Sequence, residues 1–138
     1  MSHVGFFFRQ AFDVMVFLWP ITLVLSAAAV GAAISLERSG HIASDQVRLV
    51  LVTSAFVFLC APIVAIVFWT DETGQRPASG VGGFVLSMLT LAYAVAVLVA
   101  LVQAKAHRVA LAAIAALLGW ANVGGLFVAS MAVTGDWL

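Results

Sequence analysis

Twelve charged side chains occur in 138 residues, and they cluster so that four long stretches carry none. The uncharged runs are residues 14–36, 49–70, 77–104 and 109–135, which hold 23, 22, 28 and 27 residues. A helix rises about 1.5 Å per residue, so roughly 20 residues cross a hydrocarbon core of about 30 Å. Each run is long enough to cross once and too short to cross twice. Buried core helices of a water-soluble protein are excluded on composition. With 64% hydrophobic and only 9% charged residues, too little polar surface remains to cover a globule. A membrane barrel needs alternating apolar and polar residues, which these runs lack. Backbone groups in lipid must then be satisfied within helices. Equal numbers of basic and acidic residues, six each, leave no basic stripe for nucleic acid. The high hydrophobicity excludes a disordered chain.

Punctuation between the runs predicts helices over about 14–36, 49–70, 81–102 and 109–134. Ser39-Gly40 ends the first, and Ser44-Asp45 offers an N-cap for the second. Asp71-Glu72-Thr73-Gly74 and Pro77-Ala78-Ser79-Gly80 separate the second from the third. Short connections predict that sequential helices are antiparallel neighbours. The expected fold is all-α: an integral membrane, up-down four-helix transmembrane bundle with short loops, residues 1–138 forming one domain. Pro20 and Pro62 fall inside predicted spans, where each removes a helix hydrogen bond. They free the carbonyls of Val16 and Phe58 and predict kinks.

A secretory signal is a competing reading of the first segment, with Arg9 in its basic region and Ala27-Ala28-Ala29 as a small-residue cleavage site. The apolar run continues to Ile34, however, and Asp13 stands where a signal is basic, so a retained span is the expectation. The first and third loops carry Arg38, Arg48, Lys105 and Arg108, against Arg9 and Arg76 on the other side. The positive-inside rule then places both termini outside. Trp19, Trp69 and Trp137 gather on the terminal side with Phe6, Phe7, Phe8, Phe12 and Phe68, as rings do at headgroup level. The Ala, Val and Leu richness suggests a bacterial inner membrane.

Aligned by their midpoints, the spans share a middle layer of Ser26, Cys60, Thr90, Tyr93 and Asn122. Asn122 is the strongly polar member. An amide in hydrocarbon is costly unless bonded. It either fixes packing, with Tyr93 as the natural partner at matching depth, or contacts a substrate or ion. Asp13 is the third candidate. It is an interfacial, solvated carboxylate if the helix begins at Val14, and lies two turns into the span, with Arg9 four residues before it, if the helix begins near Gly5. Small residues four apart, including Ala27/Gly31, Ala115/Gly119, Ala121/Gly125 and Gly125/Ala129, permit close helix approach. Gly31, Gly119, Gly125 and Ala129 are therefore the packing candidates, and the last helix is the expected centre of the bundle. Trp120, too deep for a belt, should pack inside.

Other chemistry has little to build on. His3, His41 and His107 lie in tails or loops, so no histidine ligates a haem within the spans. A single cysteine, Cys60, forms no internal disulfide and reads as an apolar packing residue. His41 and His107 share a side with Glu37 and Asp45, a conceivable loop metal site without ligand spacing. No run of Lys or Arg marks a lipid-headgroup cluster. No catalytic motif is present, and no cofactor is expected. The leading expectation is a non-enzymatic membrane protein acting by helix–helix contacts. It would be an accessory or scaffold subunit, or a homo-oligomer, with the lipid bilayer and other membrane subunits or its own copies as partners. The alternative is a small dimeric transporter or channel using Asn122, Tyr93 and Asp13. A membrane enzyme working at the terminal rim through Asp71 and Glu72 is a third class.

Overall fold

A computed structural model describes residues 3–68 and 80–134. It contains five helices: α1 (His3–Phe17), α2 (Trp19–Arg38), α3 (Asp45–Val67), α4 (Val81–Gln103) and α5 (Arg108–Thr134). The last four are long and apolar enough to cross a membrane, at about 30 to 40 Å each. The acidic pair Asp71 and Glu72 lies outside the described residues, as do Trp69 and Trp137.

The first expected helix is divided. The chain breaks at Leu18, whose φ and ψ are −97° and 32°. Pro20, two residues into α2, has no N–H to donate and its ring collides with the carbonyl of Val16 in a continuous helix. The amide of Leu18 closes α1 on the carbonyl of Val14 (3.1 Å). The amides of Ile21 and Thr22 start α2 on the carbonyl of Leu18 (3.1 and 3.2 Å). The sequence bounded the first span at Val14 by charge, while leaving open a helix that begins near Gly5. Arg9 and Asp13 are nevertheless helical, because charged side chains on an exposed helix face cost little. The second helix likewise begins at Asp45, four residues before residue 49, with Ser44 in the extended N-cap conformation. The bounds of α4 and α5 fall within a residue of those expected.

α5 is the hub: it packs against α1, α2, α3 and α4. α3 and α4 also pack on each other. α2 lies on α5 and meets α1, but has no close backbone approach to α3 or α4 among the described residues. This corrects the expectation that every short connection makes neighbours. The loop from α2 to α3 is short, yet an apolar groove of about 310 Å³ lies between them, with Ala29, Ala33, Val47 and Leu51 on its walls and Ile114 of α5 also lining it.

Two buried clusters hold the bundle. One gathers Leu36 of α2, Val47 and Val50 of α3, Ala100 and Ala104 at the end of α4, and Leu111 and Ala115 of α5. The other gathers Phe7 of α1, the second half of α3 around Ala61 and Ala65, Leu86 and Leu89 of α4, and Val128, Ala129 and Ala132 of α5. Alanine is prominent in both clusters, and small side chains let helix backbones approach closely. Large apolar side chains point outward instead, among them Phe17, Leu23, Leu59, Leu98 and Val109. That inversion suits a molecule whose outer solvent is hydrocarbon.

Candidate functional site

Three hydrogen bonds between helices converge on α5, one from each of the other spanning helices. Asn122 donates from Nδ2 to the Oγ of Ser54 on α3 at 3.0 Å. Both residues are buried, at 3% and 5% exposure. Tyr93 of α4 donates its hydroxyl to the carbonyl of Ala115 at 2.7 Å. Trp120 donates its indole N–H to the Oγ1 of Thr22 on α2 at 3.0 Å. Thr22 also lies within hydrogen-bond distance of the carbonyls of Met15 (3.3 Å) and Leu18 (3.4 Å). The indole thus ties the proline break to the hub.

The expected pairing of Tyr93 with Asn122 does not form. Ala115 and Asn122 are seven residues apart on α5, which is about two turns. Tyr93 reaches the upper turn because Gly119 leaves room for its ring. A Cβ built at Gly119 would lie 3.2 Å from Cε1 of Tyr93. Asn122 faces α3 instead. Its Oδ1 is buried with no hydrogen-bond partner among the described residues. Turning the amide over exchanges which of its atoms is unpaired and leaves one orphan either way, because Ser54 supplies a single neighbouring oxygen. Such an orphan costs about 1–3 kcal/mol.

Asp13 is not part of this layer. It lies on α1, exposed, with its Oδ2 3.9 Å from Nε of Arg9. An exposed ion pair of this length contributes little. Of the packing candidates, Gly119 meets Tyr93 and Ala129 is fully buried. Gly125 is buried, but nothing lies within 4 Å of a Cβ built on it. Gly31 is exposed on the outer face of α2, also with open space around it. It therefore packs against no other helix among the described residues, because α2 turns Ala29, Ala32 and Leu36 inward instead. Cys60 packs beside the cluster around Ala61.

Sequence reasoning missed three participants, Ser54, Thr22 and Gly82. Ser54 and Thr22 are common apolar-span residues until their partners are known. Gly124 receives α1, with Met15 Cγ 3.7 Å from a Cβ built there. Gly82 is the tightest contact: a Cβ there would lie 2.8 Å from Cγ1 of Val133 and 3.1 Å from Phe68. Its position at the start of α4, rather than a four-residue pair, hid it.

At the opposite end the loops bring His41 and His107 together, with ring centroids 4.7 Å apart. Gly40 makes this possible by taking φ of +73°. Its amide bonds the carbonyl of Glu37 (3.0 Å) and the His41 amide that of Leu36 (2.8 Å), a Schellman termination. Both ring nitrogens of His107 are buried with no hydrogen-bond partner among the described residues. No group of three His, Cys, Asp or Glu suited to a metal exists among the described residues. Comparison of the chain with protein-family models, with curated proteins and with solved structures returns no match.

Proposed function

We propose that this chain is a non-enzymatic packing unit of a membrane assembly, acting through helix–helix contacts as an accessory subunit or as a homo-oligomer. One observation carries the reading: each of the other three long apolar helices is joined to α5 by a hydrogen bond involving Ser54, Tyr93 or Thr22, which supports an interior that serves as a scaffold. The two end clusters support an up-down arrangement, in which the end of α4 meets the start of α5 at one rim. The Lys and Arg balance supports both termini outside, and the Ala, Val and Leu richness supports a bacterial inner membrane.

A surface for a partner helix lies between α4 and α5. A groove of about 350 Å³ is lined by Gly83, Ser87 and Thr90 of α4 and by Leu126, Phe127 and Ser130 of α5. Small and hydroxylated residues suit close approach of a transmembrane helix. The test is Ser87→Phe, at an exposed position, with oligomeric state and co-purifying proteins read by native mass spectrometry in mild detergent. Loss of a bound copy or subunit, with helicity unchanged, supports the reading. A wild-type chain that is monomeric and partner-free in membranes by in-situ crosslinking overturns it.

The unpaired Oδ1 of Asn122 favours a second reading, a small transporter or channel. Under it, Asn122→Leu abolishes a flux while assembly persists.

A further inference from the structure

A cavity of about 810 Å³ opens at the rim formed by the first and third loops and runs between α2 and α5. Its two ends differ in chemistry. The mouth carries Lys105, Arg108 and His41, and none of the lining residues is acidic. The walls deeper in are Ala28 and Ala32 of α2 and Ala113 of α5. From Ser39 at the mouth to Ala28, eleven residues of helix extend about 16 Å into the span. A volume of this size lies within the range of about 300–1,000 Å³ that small-molecule sites occupy.

We infer that this cavity holds one anionic phospholipid, its phosphate at Lys105 and Arg108 and an acyl chain along the alanine-lined channel. A soluble anion would use the mouth and leave the apolar depth empty. A neutral lipid would fill the depth and leave the two cations at the mouth without a counter-charge. An anionic phospholipid satisfies both. Arg108 spends one donor on the carbonyl of Val102 (3.2 Å) and keeps the rest of its fork for a ligand. His107 also lines the cavity, and both its ring nitrogens are buried with no hydrogen-bond partner among the described residues. His41, stacked over it, is exposed at the cavity mouth. No run of basic residues signals the site in the sequence, because Lys105 and His107 come from the loop before α5, Arg108 from the first residue of that helix, and His41 from the loop after α2. Basic pockets between transmembrane helices on the cytoplasmic side are where anionic headgroups bind.

The test is native mass spectrometry of the delipidated full chain, titrated with palmitoyl-oleoyl phosphatidylglycerol, with the phosphatidylcholine of the same acyl chains, and with sodium phosphate. Each basic residue near a membrane surface raises affinity for an anionic headgroup about fivefold, so Lys105 and Arg108 together support a preference of roughly 30-fold for phosphatidylglycerol. Lys105→Gln/Arg108→Gln, at exposed positions, should bring the two lipids close to parity. Ala28→Phe, also exposed, should weaken both lipids with helicity unchanged. Equal affinity of the wild type for the two lipids overturns the inference, as does a preference that survives the double substitution. Undiminished lipid binding by Ala28→Phe overturns the placement of the acyl chain. Sodium phosphate binding as tightly as the lipid would mark a site for soluble anions and overturn it as well.

Discussion

At the scale of single residues, Asn122 and Ser54 show how a polar pair behaves in a lipid-solvated protein. Removing one partner and removing both have different consequences, because a lone buried polar group carries a desolvation cost that an apolar pair does not. Ser54→Ala strips Asn122 of its protein hydrogen-bond partner and should destabilise the bundle by about 0.6–2 kcal/mol. Adding Asn122→Leu should recover most of that loss. Thermal unfolding of the four members of this double-mutant cycle in one detergent checks both expectations. A double variant less stable than either single one would show that Asn122 supports the fold by something other than this bond. The same logic explains why Asn122 was visible in the sequence while its partner was not. An amide in a charge-free run announces a cost, but serines satisfy themselves on their own helix, as Ser87 does on the carbonyl of Gly83 at 2.9 Å. Which serine leaves that local bond for a neighbour depends on the rotation of α3 against α5, and no local pattern encodes that.

At the scale of elements, the determinants are places where helices end or nearly touch. Gly40 terminates α2 in the left-handed region, where a side chain is strained. Gly40→Ala should cost about 1 kcal/mol and loosen the His41–His107 stack, read as a lower unfolding temperature together with a changed histidine ring spectrum by NMR. Gly82 acts by proximity. With Val133 and Phe68 so near, Gly82→Ala must displace a side chain from α5 or from the end of α3. A loss of about 1–3 kcal/mol is expected from overpacking, against a near-neutral Gly31→Ala on the outer face. Equal effects from the two substitutions would mean that the start of α4 does not sit against the ends of α3 and α5. Four spanning helices were legible in the sequence because absence of charge over about 20 residues has one physical solution in a bilayer. The division of the first helix was only half legible. Pro20 marked the break, but the helical state of residues 3–13 depends on Phe7 finding a buried seat in the cluster with Val57 and Val128, a tertiary fact. The site at the loop rim was legible only in part: the sequence put His41, His107, Lys105 and Arg108 on one side, but the approach of His41 to His107 joins loops more than sixty residues apart.

At the scale of the whole molecule, the hub arrangement makes orientation a question with chemical consequences. The rim that holds Arg38, Arg48, Lys105 and Arg108 also holds the mouth of the large cavity. The leaflet facing that rim decides which lipids the cavity meets. The cytoplasmic leaflet carries the negative surface potential that draws basic groups, each gaining about 1 kcal/mol near the surface. The positive-inside rule and the proposed lipid site therefore depend on the same residues and should agree. In a Cys60→Ser background, Ala106→Cys places a thiol on the third loop at an exposed position. We expect it to resist a membrane-impermeant maleimide in intact cells and to react once the membrane is opened. A cysteine added at the N-terminus should react from outside in intact cells. Reversal of the pattern would put the basic rim outside and remove the cytoplasmic leaflet as its source of anionic lipid. The cavity would then meet the lipids of the outer face, and its selectivity would have to be measured against those.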